Sequence, residues 1–327
     1  MVKKLILAAI AFSFSLAASG QTKTPVGKNG ALHVENGHVV NQFGAPPQLR
    51  GLSFSWSIWK GQKYYTPQTL DWLCADFKVN IVRLAMAVEP DTGFLKRPNE
   101  QQQLITNMVD QAIKDGIYVL IDWHDHNADK HLAQSKQFFA TIARKYNSVP
   151  NVIYEIYNEP KTATWDTIKS YATQVIAEIR RYDANNLIIV GSPHWDQDVN
   201  VAAESPIVGF KNIAYSFHFY ASDANHQAGL RAKADKAIKL GLPLFITEWG
   251  VGEANGDGQF NLEKTATWFN WMENNKLSWV NWNITDKKET TALLQPNAPR
   301  NGGWTVDQLT PSGTYIREKL RKLNKSK

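Results

Sequence analysis

Two glutamates each follow directly on an apolar run: Glu159 closes Val152–Asn158 and Glu248 closes Leu244–Thr247. Paired carboxylates of this kind are what glycosidic cleavage needs. One acid protonates the leaving oxygen while the other supports the anomeric carbon. Their surroundings must push their pKa values apart, keeping one protonated and one ionised. Arg83 and Tyr220 are the natural partners to hold Glu248 charged, and Asn158 would hydrogen-bond the sugar hydroxyl beside the reacting carbon. Glu155 shares the strand parity of Glu159 and is expected to be buried and paired. Asn158 and Glu159 have opposite parity, so both reach one site only if the strand bends before Pro160. The plainer alternative is two surface charges on loops, which their position after buried strands opposes.

The aromatic residues indicate what the carboxylates act on. Twelve tryptophans are present, and Trp56, Trp59, Trp123, Trp195, Trp249 and Trp282 fall at or just past strand ends. Sugar rings have apolar faces and polar edges, so six flat rings among hydrogen-bonding groups favour a polysaccharide groove. Trp72, Trp165, Trp268 and Trp271 lie in helical stretches and are expected to be packing residues. The run Asp122-Trp-His124-Asp-His126, with His194 and His218 at other strand ends, raises a metal-dependent barrel hydrolase as an alternative. Such enzymes take their His-x-His from the first strand, here free of histidine, and a metal would leave both glutamates without a role. His126 and His131 are read as loop residues, and no metal or cofactor is expected.

These residues need a scaffold that gathers strand ends at one rim. Strands are predicted at Gly51–Trp56, Asn80–Met86, Tyr118–His124, Val152–Asn158, Leu187–Gly191, Ile213–Tyr220, Leu244–Glu248 and Ser278–Asn283. Several are nearly continuous in Val, Ile, Leu and aromatics, as suits strands covered on both faces. Amphipathic helices are predicted at Thr66–Phe77, Glu100–Lys114, Thr164–Tyr182, Asn261–Met272 and Pro311–Leu323, with others near Ala202 and over Asn225–Leu240. Eight such units match a (β/α)8 barrel, whose active sites lie at the carboxyl ends of the strands. A doubly wound sheet would favour a glycine-rich turn after its first strand, and Gly51-Leu-Ser-Phe-Ser is not one. Ahead of the barrel, Leu32–Val40 turns at Asn36-Gly37 into a hairpin, expected to cap the main fold.

Composition bounds the rest. The 327 residues are 43% hydrophobic and 20% charged, with a net charge of +6 and one cysteine. The single Cys74 excludes an internal disulfide framework or a cysteine metal cage. Basic residues cluster only at the carboxyl end, without a nucleic-acid motif, so no nucleic-acid partner is expected. Met1–Gly20 reads as a secretory signal, with Lys3 and Lys4, an apolar run Leu5–Leu16 too short to span a bilayer, and small residues to Gly20. The remaining 21–327 reads as one catalytic domain. It is expected to work outside the cytoplasm (extracellular or periplasmic) as a monomer, with no membrane association once the signal is cut.

Six motifs in order then carry a resemblance: Val82-Arg-Leu-Ala-Met86, Ile121-Asp-Trp-His124, Tyr154-Glu-Ile-Tyr-Asn-Glu-Pro160, Ser216-Phe-His-Phe-Tyr220, Ile246-Thr-Glu-Trp-Gly250 and Trp282-Asn-Ile-Thr-Asp-Lys-Lys-Glu289. From about Leu32 to Leu323 the chain resembles the bacterial endo-β-1,4-glucanases of glycoside hydrolase family five, in the secreted cellulase subfamily. That resemblance implies metal-free retaining hydrolysis of β-glucan, with Glu159 as acid/base and Glu248 as nucleophile. It places Arg83, His124, Asn158, His218, Tyr220 and Trp282 in the site. Trp59, Lys287 and Glu289 would bind sugars on the non-reducing side of the cut and Trp195 on the far side. Some relatives carry a histidine near Ser55 and a tyrosine near Ala87, which this chain lacks. A mannanase or mixed-linkage glucanase would use the same two glutamates, although Lys287 and Glu289 favour glucan. A catalytically silent sugar-binding barrel is the rival from another class.

Overall fold

The computed structural model describes residues 24–90 and 92–324, so the signal reading of Met1–Gly20 falls outside the described residues. Eight parallel strands close into a barrel. They are β3 (Arg50–Phe54), β4 (Ile81–Ala87), β5 (Tyr118–His124), β6 (Val152–Glu155), β7 (Ile188–Val190), β8 (Ile213–Tyr220), β9 (Leu244–Gly250) and β10 (Trp279–Ile284). Each pairs with its sequence neighbours, and β10 pairs β3 to shut the ring. This is the expected (β/α)8 architecture. The preceding β1 (His33–Glu35) and β2 (His38–Val40) form the antiparallel hairpin. Its turn residues Asn36 and Gly37 have φ of 49° and 75°, as a two-residue turn of this kind requires.

Strand parity sorts the side chains into two cores. Outward residues such as Val82, Leu84, Val119, Ile121, Trp123, Phe217 and Trp249 pack against the surrounding helices. Inward residues near the strand starts, Ile81, Tyr118, Leu120, Ile153, Ile189, Phe245 and Val280, fill the amino end of the barrel. Leu32 and Val39 of the hairpin region join that inner cluster. The hairpin therefore caps the end away from the strand tips. Further up, the inward positions become Ser53, Arg83, Asp122, Glu155, Ser216 and Thr247, all fully buried. The interior thus turns from apolar to charged on approaching the carboxyl rim.

Several elements depart from expectation. The predicted helix Thr66–Phe77 is an α-helix, Pro67–Trp72, running into a π-helical turn, Leu73–Phe77. The helix Leu132–Lys145, not anticipated above, buries Ser135, Phe138, Phe139 and Ile142 along one face at three- and four-residue spacing. A short helix, Pro25–Asn29, is capped by Thr24. Strand β6 ends at Glu155, three residues early, because the chain must leave the sheet to swing Asn158 and Glu159 over the barrel mouth.

Candidate active site

Three local distortions aim the functional side chains. After β6 the backbone bends, and Glu159 takes φ 50°, the left-handed region that non-glycine residues seldom enter. This is the bend that the opposed parities of Asn158 and Glu159 demand. On β9 the pairing with β8 shifts by one residue between Ser216–Phe245 and His218–Glu248. Ile246 faces the helices, whereas Thr247 and Glu248 both serve the interior, so a bulge re-aims the glutamate inward. Trp59 also has a positive φ, 53°, and its ring stands 66% exposed at the groove edge.

Beneath the rim lies one fully buried cation. Arg83 Nε donates to Glu155 Oε2 at 2.7 Å, Nη1 to Glu248 Oε2 at 2.9 Å and Nη2 to Asn158 Oδ1 at 2.6 Å. Nη2 also lies 2.9 Å from Asp122 Oδ2. Burial opposes the charge of Arg83, but Asp122, Glu155 and Glu248 outweigh it and push its pKa well up. Tyr220 donates its hydroxyl to Glu248 Oε1 at 2.6 Å. Both oxygens of Glu248 are thus held by donors. Asn158 Nδ2 has no hydrogen-bond partner among the described residues, leaving a donor available to a substrate hydroxyl.

Glu159 has the opposite environment. Its side chain is 16% exposed, and burial raises its pKa to about 7 against the pull of Arg83 and Lys161. Its backbone N–H donates to Asp196 Oδ2 at 3.0 Å. His218 Nδ1 lies 3.1 Å from Glu159 Oε1, and His218 Nε2 lies 2.8 Å from Thr247 Oγ1. Burial lowers the His218 pKa to about 4, so the ring is neutral near pH 7. One oxygen of Glu159, one of Glu248 and a ring nitrogen of His218 lie within 4.8 Å of one another. The two carboxyls therefore approach each other closely at the barrel mouth, in keeping with the shorter of the two spacings that glycoside-cleaving carboxylate pairs adopt.

A cleft of about 690 Å³ opens over this pair. Trp59, His124, Glu159, Tyr220, Glu248, Trp282, Lys287 and Glu289 line it, while Arg83, Asn158 and His218 lie buried below. Trp282 stacks on His124 with ring planes 6° apart. Lys287 Nζ and Glu289 Oε2 form an ion pair at 2.5 Å. Trp195 does not line this cleft. It stands 38% exposed on the Pro160 side, its backbone N–H donating to the Pro160 carbonyl at 3.0 Å.

The structure corrects two readings and adds residues. Trp123 and Trp249 are completely buried core: alternation turns Trp123 toward the helices, and the bulge that turns Glu248 inward turns Trp249 outward after it. His126 is not a loop bystander: it lines the cleft, with Nε2 3.9 Å from Glu159 Oε2, and burial lowers its pKa to about 3. Beside Ser55, Trp56 occupies the cleft wall. Its ring meets His124 edge-on at 4.2 Å and lies 5.9 Å from that of His126. Asp122 holds His124 Nδ1 at 2.7 Å. The alternation of β5 could have revealed Asp122, which shares the parity of His124, whereas Asp196 ends the four-residue helical turn Pro193–Asp196 and His126 lies in the turn after β5, where no periodicity signals them.

Residues 40–288 match the family described as cellulase (glycosyl hydrolase family 5). The chain belongs to glycoside hydrolase family 5. Among relatives of this family 5 chain, endoglucanase Z of Dickeya dadantii is 41% identical over 96% of this chain and 71% of its own length. Endoglucanase N of Pectobacterium atrosepticum is 39% identical over 98% of this chain and 72% of its own length. Endoglucanase 5 of Pectobacterium carotovorum, 39% identical over 98% of this chain, is matched over 64% of its own length. A solved structure from Cytophaga hutchinsonii has a TM-score of 0.89 at 44% identity, over 92% of this chain and 98% of that one. The Thermobifida fusca endoglucanase catalytic domain, solved with cellotetraose, has a TM-score of 0.86 at 33% identity, over 91% of this chain and 99% of that one.

Proposed function

We propose that this family 5 enzyme is a retaining endo-β-1,4-glucanase, in which Glu159 is the acid/base and Glu248 the nucleophile. The observation that carries the roles is the contrast between two facing carboxyls. Glu248 is clamped by Arg83 and Tyr220, and Glu159 is left in a setting that favours its protonated form. Glu248 attacks the anomeric carbon as Glu159 delivers its proton to the departing oxygen, giving a covalent glycosyl-enzyme and a shortened chain. Glu159, now ionised, takes a proton from water, which attacks the same carbon and frees Glu248. Two displacements return the original configuration.

Around that centre, Asn158 Nδ2 is positioned to donate to the neighbouring sugar hydroxyl, and Trp282 and His124 form the floor. Trp59, Lys287 and Glu289 extend the groove on one side, and Trp195 serves the chain beyond the cut. The substrate is a β-glucan polysaccharide, and the enzyme acts as a monomer, neither nucleic acid nor a membrane being its partner. Among the described residues no helix is long and apolar enough to cross a membrane. Secretion rests on the Lys3–Lys4 start, the apolar run and the small residues before Gly20; amino-terminal sequencing of the exported protein should begin within a few residues of Gln21.

The direct test compares reducing ends released from carboxymethylcellulose, mixed-linkage glucan and mannan, with NMR of the first-formed anomer. Cleavage of carboxymethylcellulose with the β-anomer appearing first is expected. A much faster rate on mannan overturns the substrate assignment, and an initial α-anomer overturns the mechanism. Glu248→Ala should abolish turnover while leaving substrate binding largely intact, and near-normal activity would remove its assigned role.

A further inference from the structure

The segment Pro193–Asp196 holds three successive left-handed residues, His194, Trp195 and Asp196, with φ of 60°, 57° and 58°. Glu159, facing it, is left-handed as well. Such conformations persist only where the surroundings over-determine them, and here the common restraint is the Asp196 carboxylate. Fully buried, it accepts the Ser192 N–H on Oδ1 at 2.5 Å and the Glu159 N–H on Oδ2 at 3.0 Å. The second oxygen is also 3.6 Å from His218 Nε2. Glycine at 191 makes room for this, since a Cβ there would come 3.0 Å from Asp196 Oδ1 and 2.5 Å from the Tyr157 carbonyl. The Trp195 N–H to Pro160 carbonyl bond ties the two segments a second time.

We propose that Asp196 is the positioning residue of the proton donor, a buried strut that fixes the left-handed bend at Glu159 and so aims its carboxyl at the departing oxygen. It touches no substrate and acts through the Glu159 backbone. The proposal rests on the reading of Glu159 as acid/base. Asp196 ends the short left-handed turn Pro193–Asp196 and couples the bend after β6 to the segment that presents Trp195. Loss of the strut lets the carboxyl drift, and a displacement near 1 Å costs on the order of a hundredfold in rate when proton delivery is demanding.

The test exploits leaving-group chemistry. Cutting cellotetraose expels a shorter sugar through its hydroxyl oxygen, a poor leaving group that needs the proton, whereas dinitrophenolate expelled from a dinitrophenyl β-cellobioside does not. Asp196→Asn keeps the shape but sets an amide against one of the two N–H donors. Its kcat/KM should fall at least about tenfold on cellotetraose and less than about threefold on the aryl substrate, with a cooperative unfolding transition retained. Equal losses on both substrates, or none, overturn the proposal. If Asp196→Asn does not fold, Asp196→Ser carries the same comparison; if neither folds, Asp196 is a folding strut and the proposal fails. Glu159→Gln is the control. Should it lose both substrates equally, the acid assignment itself falls; should it show the selective loss while the Asp196 variants do not, only the positioning claim falls.

Discussion

In the proposed role the Glu159 carboxyl can act as an acid only while it holds its proton, and burial sets that limit near pH 7. The pH profile of kcat/KM, which reports the free enzyme, should therefore decline on its alkaline side with an apparent pKa near 7. In Glu159→Gln the residual rate on an activated aryl cellobioside should lack that limb. The same shift bears on stability. A carboxyl whose folded pKa is raised stabilises the fold below its unfolded pKa, and that contribution is lost as pH climbs through the folded value. Glu159→Gln, which cannot ionise, should gain on the parent between about pH 4.5 and 7, by up to about 3 kcal/mol. Thermal unfolding across that range checks it: a gap that does not widen with pH contradicts the buried-acid picture. The two glutamates proposed as catalytic, with Arg83 and Tyr220, could be picked out from residue type and strand-end position. His126 could not be assigned in that way, because its importance comes from what it touches, the cleft beside Glu159.

Among the elements, strand pairing leaves least room at the start of the barrel. A Cβ on Gly51 would stand 1.7 Å from the Ile81 carbonyl oxygen, on the inner face between β3 and β4. Gly51→Ala must force those strands apart, and its melting temperature should fall by at least about 5 °C; an unchanged value would mean the barrel adjusts there freely. The strands were legible because each is a short run of Val, Ile, Leu and aromatics between polar junctions, and two of them, β5 and β8, have the predicted bounds. What one-dimensional pattern could not supply is where regularity breaks. The bulge that turns Glu248 inward and the early end of β6 both violate period two. These sites give up ideal strand geometry to place side chains that the ideal would misdirect. Trp123 shows the converse: strict alternation sends it to the helices although it sits beside functional residues in sequence. The helix Leu132–Lys145 does carry a readable stripe, from Ser135 through Phe138 and Phe139 to Ile142.

Over the whole molecule, the two ends of the barrel divide the labour. Apolar packing and the hairpin close the amino end, and charge and aromatic rings occupy the carboxyl end. Leu32→Ala, which empties a buried position under the hairpin, should cost about 2–5 kcal/mol of stability. It should leave kcat/KM on cellotetraose within about twofold, measured well below the transition. A large catalytic defect would show that the cap and the cleft communicate. At the seam, Arg317 clasps Asp76 at 2.5 Å and 2.7 Å, joining the last helix to the π-helical turn after the first barrel helix. Asn324 Nδ2 reaches the carbonyls of Arg50 and Lys78 beside the starts of β3 and β4, and the Val26 N–H bonds the Gly116 carbonyl just before β5. Pro25 and Asn324 even border one shallow hollow. Both ends of the described chain therefore emerge from the floor, so a tether to a bead or electrode through either one would leave the groove facing bulk solution, free to meet long polymers broadside.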